Sequence, residues 1–110
     1  MTRQELLRHA IETHGKATQM QVMIEEMAEL TQAICKLNRH ANSPEGQFPI
    51  NSSSDIAMKY REKSRKLRDY IREEIADVRI MLEHMEMIFG DTAEIQDAKL
   101  ARLAERLGVE

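Results

Sequence analysis

The sequence predicts an all-α fold, a helical bundle of about four helices. Three observations carry that reading. Apolar residues return at spacings of three and four, and no stretch alternates with the two-residue period of a strand. Chain breakers are scarce: two Pro and four Gly in 110 residues, gathered between the periodic stretches. Eight Met with no Trp describe a helical core that adapts its shape without large rings.

Residues 2–5, Thr-Arg-Gln-Glu, form a capping box, in which the Thr2 hydroxyl holds a free N–H of the first turn and Glu5 reaches back. They open a short helix to about Thr13, with Leu6, Leu7, Ala10 and Ile11 as its apolar side, closed near Gly15. A second helix runs from about Lys16 to Arg39. The stretch "HANSPEGQFPINSSS" then collects both prolines, Gly46 and a cluster of Ser and Asn, which reads as a surface loop over 41–54. A third helical stretch extends from about Asp55 to Phe89 and stops at Gly90, long enough that a break near Ser64 is expected. Residues 91–94, Asp-Thr-Ala-Glu, cap a fourth helix ending near Gly108. The whole chain, 1–110, reads as a single domain with one modest core.

Composition narrows the function classes. A net charge of -3 gives no general attraction to nucleic acid or to an anionic membrane. Cys35 stands alone, so no internal disulfide forms and a reducing compartment fits. No apolar run approaches the roughly 18 residues of a membrane span, and "MTRQELLRHA" lacks a signal-peptide core. A cytoplasmic chain is expected.

The chemistry lies in the carboxylates. Acidic residues three apart occur at Glu26/Glu29, Glu74/Asp77, Glu83/Glu86, Asp91/Glu94 and Glu94/Asp97, several of them by chance in a chain with 19 acids. Direction separates them, at about 100° per residue around a helix. Gln19, Val22, Met23, Leu30, Ala33 and Leu37 fall within roughly 60° of Glu26, as does Glu29. Leu67, Ile71, Val78, Met81, Met85 and Ile88 fall within roughly 60° of Glu74, as does Asp77. Glu83 points about 180° away and stands four residues after Arg79, a solvated surface charge. Asp91, Glu94 and Asp97 open a helix, where negative charge suits the dipole. Only the first two pairs sit at the centre of an apolar stripe. If both stripes face one core, four carboxylates converge in a low-dielectric interior, a repulsion that a divalent cation relieves. An oxygen-only ligand set of Glu26, Glu29, Glu74 and Asp77 suits Mg²⁺, with Mn²⁺ able to substitute.

Together "EEMAEL" and "EEIADV" resemble the paired E-x-x-E and E-x-x-D motifs of the MazG-like all-α nucleotide pyrophosphohydrolases, a superfamily that includes the dimeric dUTPases. The flanks agree through "FGD" to "AKLARLAERLG", so the resemblance runs from about His14 to Gly108. The stretch between the two motifs is longer than the family pattern, an excess that falls in the 41–54 loop at the rim of the pocket. The resemblance implies hydrolysis of a nucleoside triphosphate to the monophosphate and pyrophosphate, with Glu26, Glu29, Glu74 and Asp77 as Mg²⁺ ligands. The role that the resemblance implies is nucleotide-pool sanitation or supply. A carboxylate must accept the proton of the attacking water, and Glu25 and Glu26 are both candidates. Lys99, Arg102 and Arg106, on one face of the last helix, are the candidate phosphate partners, in the family often supplied by a neighbouring subunit. Gln19 shares the Glu26 face and is the candidate for base or sugar.

A reading of a different class starts from "KYREKSRKLRDYIR", residues 59–72, where Arg61, Arg65, Arg68 and Arg72 form one basic stripe. That stripe fits a non-catalytic helical binding or regulatory module. It points about 160–200° from Glu74, and the acidic balance of the chain argues against nucleic acid. A di-iron bundle would need Glu-x-x-His, and none of the four His follows a Glu by three. Cys35, about 180° from Glu26, reads as a small buried or interface residue. Met20, Ile24, Met27 and Ile34 give the second helix another apolar side, which predicts self-association as a homodimer or homotetramer.

Overall fold

The first helix, α1 (Arg3–His14), begins where the sequence places it. Thr2 Oγ1 accepts from the Glu5 N–H at 3.1 Å, and Glu5 Oε2 accepts from the Thr2 N–H at 2.9 Å. Gly15 ends the helix at φ 90°, a backbone angle that side chains resist, and its N–H reaches the Ile11 carbonyl at 2.7 Å. The same glycine starts α2 (Lys16–Ala41), so one residue turns the chain between two helices. The computed structural model describes residues 1–47 and 54–109.

After α2, a short 3₁₀ turn (Pro44–Gln47) occupies part of the expected 41–54 loop, whose middle lies outside the described residues. Ser54 caps α3 (Asp55–Phe89), its Oγ accepting from the Ala57 N–H at 3.2 Å. The expected break at Ser64 is absent. The Ser64 hydroxyl donates to the Tyr60 carbonyl one turn back at 2.9 Å and is bracketed by His40, so it is satisfied within an unbroken helix. Gly90, at φ 120°, ends α3 and its N–H bonds the Glu86 carbonyl.

The last helix, α4 (Ala93–Arg106), is capped by Thr92, not by the Asp91/Glu94 box the sequence implied. Thr92 makes no capping bond to the new helix. Its hydroxyl and N–H both donate to Glu86 Oε2, at 2.8 and 3.0 Å, which ties the turn back to α3 instead. Among the described residues, then, the architecture is all-α with four α-helices, and no helix is long and apolar enough to cross a membrane.

Packing centres on α2 against α3, with α1 laid against both. Among the described residues the buried apolar side chains are few: Leu7, Met23, Ala33, Ala57 and Met81. Arg3 clamps α1 to α3 through Glu83, with Nε and Nη2 donating to its carboxylate at 2.6–3.2 Å. Glu83 is therefore an interhelical anchor and not the partner of Arg79 that its spacing implied. No residue of α4 is buried. Ala33, 0% exposed, has no room for a larger side chain. Ala33→Leu is expected to cost about 1–3 kcal/mol of unfolding free energy, read as a lower urea midpoint at unchanged slope.

Candidate metal centre

The α2 and α3 stripes face each other and bring their acids together. One carboxylate oxygen each from Glu26, Glu29 and Glu74 lies within 4.8 Å of the other two. Glu74 is 6% exposed, Glu26 is half-buried, and Glu29 opens to solvent at the edge of the stripe. Asp77 is exposed and stands outside that trio, near enough for its charge to act on both Glu26 and Glu74. Val22, Leu30, Leu37, Ile71 and Val78 are half-buried around the acids, and Met23, Ala33 and Met81 are buried.

The electrostatic consequence is unfavourable as it stands. Burial raises the Glu26 carboxyl above its ordinary range, and the charges of Glu29, Asp77, Glu74 and Glu25 raise it further. Burial also raises Glu74, assisted by Glu29 and Asp77, while a hydrogen bond from Tyr70 pulls it back. Tyr70 is itself pushed up, chiefly by the Glu74 charge and then by burial. No ion pair reaches any of the four carboxylates among the described residues. Moreover, Glu26 Oε2 and Glu74 Oε2 are buried without a hydrogen-bond partner. Two orphaned anionic oxygens beside a third carboxylate, with no nitrogen or sulfur donor in the set, fit a hard divalent cation of the Mg²⁺ or Mn²⁺ kind.

The remaining site residues are placed differently. Gln19 is buried, and its Nε2 donates to the Ala10 carbonyl at 3.3 Å, so its amide serves the α1–α2 contact. Glu25 is exposed beside Glu26. Lys99, Arg102 and Arg106 do gather on α4, where they line a cavity of about 460 Å³ with Glu105, but no acid of the cluster lines it. Of the basic stripe, Arg65, Arg68 and Arg72 are exposed and Arg61 is half-buried. Cys35 is exposed, so of the buried and interface roles expected for it the buried one does not hold within the chain. Tyr70 is the site residue that the sequence reading missed. Its signal was present, since it lies one turn before Glu74 on the same face.

Comparison with family models, with curated proteins and with solved structures finds no match for this chain.

A raised carboxyl pKa means that the folded state binds protons that the unfolded state has already released. The metal-free fold therefore loses stability as pH rises from the ordinary carboxylate range through the raised values of Glu26 and Glu74. In EDTA at neutral pH, Glu74→Gln is expected to melt a few degrees above the parent. Millimolar Mg²⁺ or Mn²⁺ should raise the parent and reverse that order. Identical melting of both proteins, with and without the ion, would mean that the acids simply reach water.

Proposed function

We propose that the protein is a Mg²⁺-dependent hydrolase that converts a nucleoside triphosphate, a dNTP or a non-canonical nucleotide, to the monophosphate and pyrophosphate. The observation that carries this reading is the trio of Glu26, Glu29 and Glu74 oxygens within 4.8 Å, two of the residues presenting buried and partnerless oxygens. The resemblance of "EEMAEL" and "EEIADV" to the MazG-like motifs supports the substrate class. Nucleotide-pool sanitation or supply is the role that such a reaction serves.

Glu26, Glu29, Glu74 and Asp77 would hold the metal. When bound, Mg²⁺ supplies neutralising charge for phosphate oxygens and acidifies a coordinated water. The chain's own residues do the rest. Attack at the α-phosphorus requires a base, and Glu26 and the exposed Glu25 beside it are the pair from which it comes. The hydroxyl of Tyr70 steadies Glu74 from one turn away. Lys99, Arg102 and Arg106 are cations for the phosphates. Since they line a separate cavity in their own chain, they serve a neighbouring copy.

Assembly into a homodimer or homotetramer belongs to the same proposal. The radius of gyration is 19.3 Å, against about 13 Å for a compact chain of this length. Met20, Ile24, Met27 and Ile34 leave the α2 flank uncovered, and Phe89, Leu100 and Leu107 do the same around α4, each more than two-fifths exposed. Light scattering in solution is expected to give two or four times 12.8 kDa, and Ile24→Glu to shift the mass towards one. A parent protein that runs as a monomer would end the assembly reading.

The reaction is tested with a panel of dNTPs and NTPs, scoring pyrophosphate and monophosphate together. Both products are expected with Mg²⁺, neither with EDTA, and Glu26→Gln or Glu74→Gln should lower kcat by about 100-fold or more. A panel left intact with Mg²⁺ and with Mn²⁺ sinks the enzymatic reading.

A further inference from the structure

A separate cavity lies elsewhere. It has a volume of about 590 Å³ and is lined by the end of α2 (Lys36, Arg39, His40), by Ser43 and by the first half of α3 (Ile56, Lys59, Tyr60, Lys63, Leu67). The α3 residues recur at spacings of three and four, a face nearly opposite the Arg65/Arg68/Arg72 stripe. From Glu29 to Lys36 and from Glu74 to Lys63, the helix rise separates the cavity from the acid cluster by about 10–17 Å.

Four cations surround this space, and among the described residues no carboxylate lines it. None of Lys36, Arg39, Lys59 and Lys63 takes part in an ion pair among the described residues. In a chain of net charge -3, that is a local concentration of positive charge against the overall balance. The floor is built and rigid. His40 is 8% exposed, and its ring stacks on Tyr60 with centroids 4.0 Å apart. Its Nε2 lies 3.0 Å from the Tyr60 carbonyl and 2.9 Å from Ser64 Oγ. A carbonyl only accepts, so Nε2 carries the proton and the ring orientation is fixed. Ser43 closes the side, its hydroxyl donating to the His40 carbonyl at 2.7 Å. Ile56 and Leu67 add an apolar flank. Solvated lysines on a helix face need neither a pinned aromatic floor nor a concavity of ligand size.

We infer that this pocket is a metal-independent binding site for a phosphorylated small molecule carrying a planar or apolar group. The phosphates meet Lys36, Arg39, Lys59 and Lys63, and the planar part lies on the Tyr60, Ile56 and Leu67 floor. The site stands whether or not the acid cluster is a hydrolase, because it needs no divalent ion.

Binding is measured by calorimetry and by amide-shift mapping in EDTA, where the unrelieved carboxylates repel anions. The probes are inorganic triphosphate, ATP and UTP. ATP or UTP is expected to bind more tightly than inorganic triphosphate, to weaken with added KCl, and to shift amides around residues 36–43 and 56–67. Lys59→Glu/Lys63→Glu should weaken binding at least about tenfold, and Lys36→Glu alone should act in the same direction. Arg8→Glu/Lys16→Glu, a charge reversal at exposed positions outside the cavity, should change nothing. Unaltered affinity in the pocket variants, equal loss in the Arg8/Lys16 control, or no binding by any probe overturns the assignment. A single-stranded oligonucleotide that binds about 100-fold tighter than the triphosphates overturns it too, in favour of a nucleic-acid surface.

Discussion

Like charge held between two packed helices is the constraint on which this structure turns. Glu26 and Glu74 occupy the centres of the stripes that α2 and α3 use to recognise each other. Every apolar contact along that seam therefore also presses the carboxylates together. The fold tolerates this because the seam is long and the repulsion is local. Met23, Ala33 and Met81 flank the acids with buried area, and α1 adds a clamp through Arg3 and Glu83 well away from them. A helical hairpin built only for stability would place Leu at these positions. On the proposed reading, the acids mark a site where stability is given up for the capacity to hold a cation.

The same economy shows in how little core the chain has. Among the described residues five apolar side chains are buried, while large apolar residues are uncovered along α2 and α4. A helix such as α4, with none of its residues buried, draws little support from its own chain, since a lone helix of 14 residues is marginal in water. In the proposed assembly, the surface that would stabilise α4 and the cations that would complete the acid site lie on the same element. Folding of that element and completion of the site would then be one event.

Features governed by local periodicity were legible in the sequence. Direction around a helix depends only on residue number, so the convergence of Glu26, Glu29 and Glu74 followed from counting, and so did the helix ends at Gly15 and Gly90. Features governed by distant partners were not. Glu83 is claimed by Arg3, 80 residues away in sequence, rather than by Arg79 on its own helix. Thr92 turns to Glu86 although its own helix offers free N–H groups. Gln19 points its amide at Ala10 because α1 folds back at Gly15, a geometry that the Glu26 face does not encode. Ser64 keeps its local bond to the Tyr60 carbonyl and meets His40 from α2 as well. In the first three cases a contact beyond the residue's own helix decided where the side chain went.

The unbroken α3 has one last consequence. Its 35 residues make a rod of about 52 Å, and it carries the cation-lined cavity, Tyr70, Glu74 and the Arg3 clamp on one continuous backbone. Such a rod is a ruler with discrete gradations. Adding or removing one residue between Lys63 and Glu74 shifts one site by about 1.5 Å but also swings it by about 100°, off the seam and into solvent. Changes of seven or eleven residues, about 10.5 and 16.5 Å, return both sites to within about 20° of the same face. The distance between the two sites is thus quantised, open to variation by near-whole numbers of helical turns and closed to anything finer.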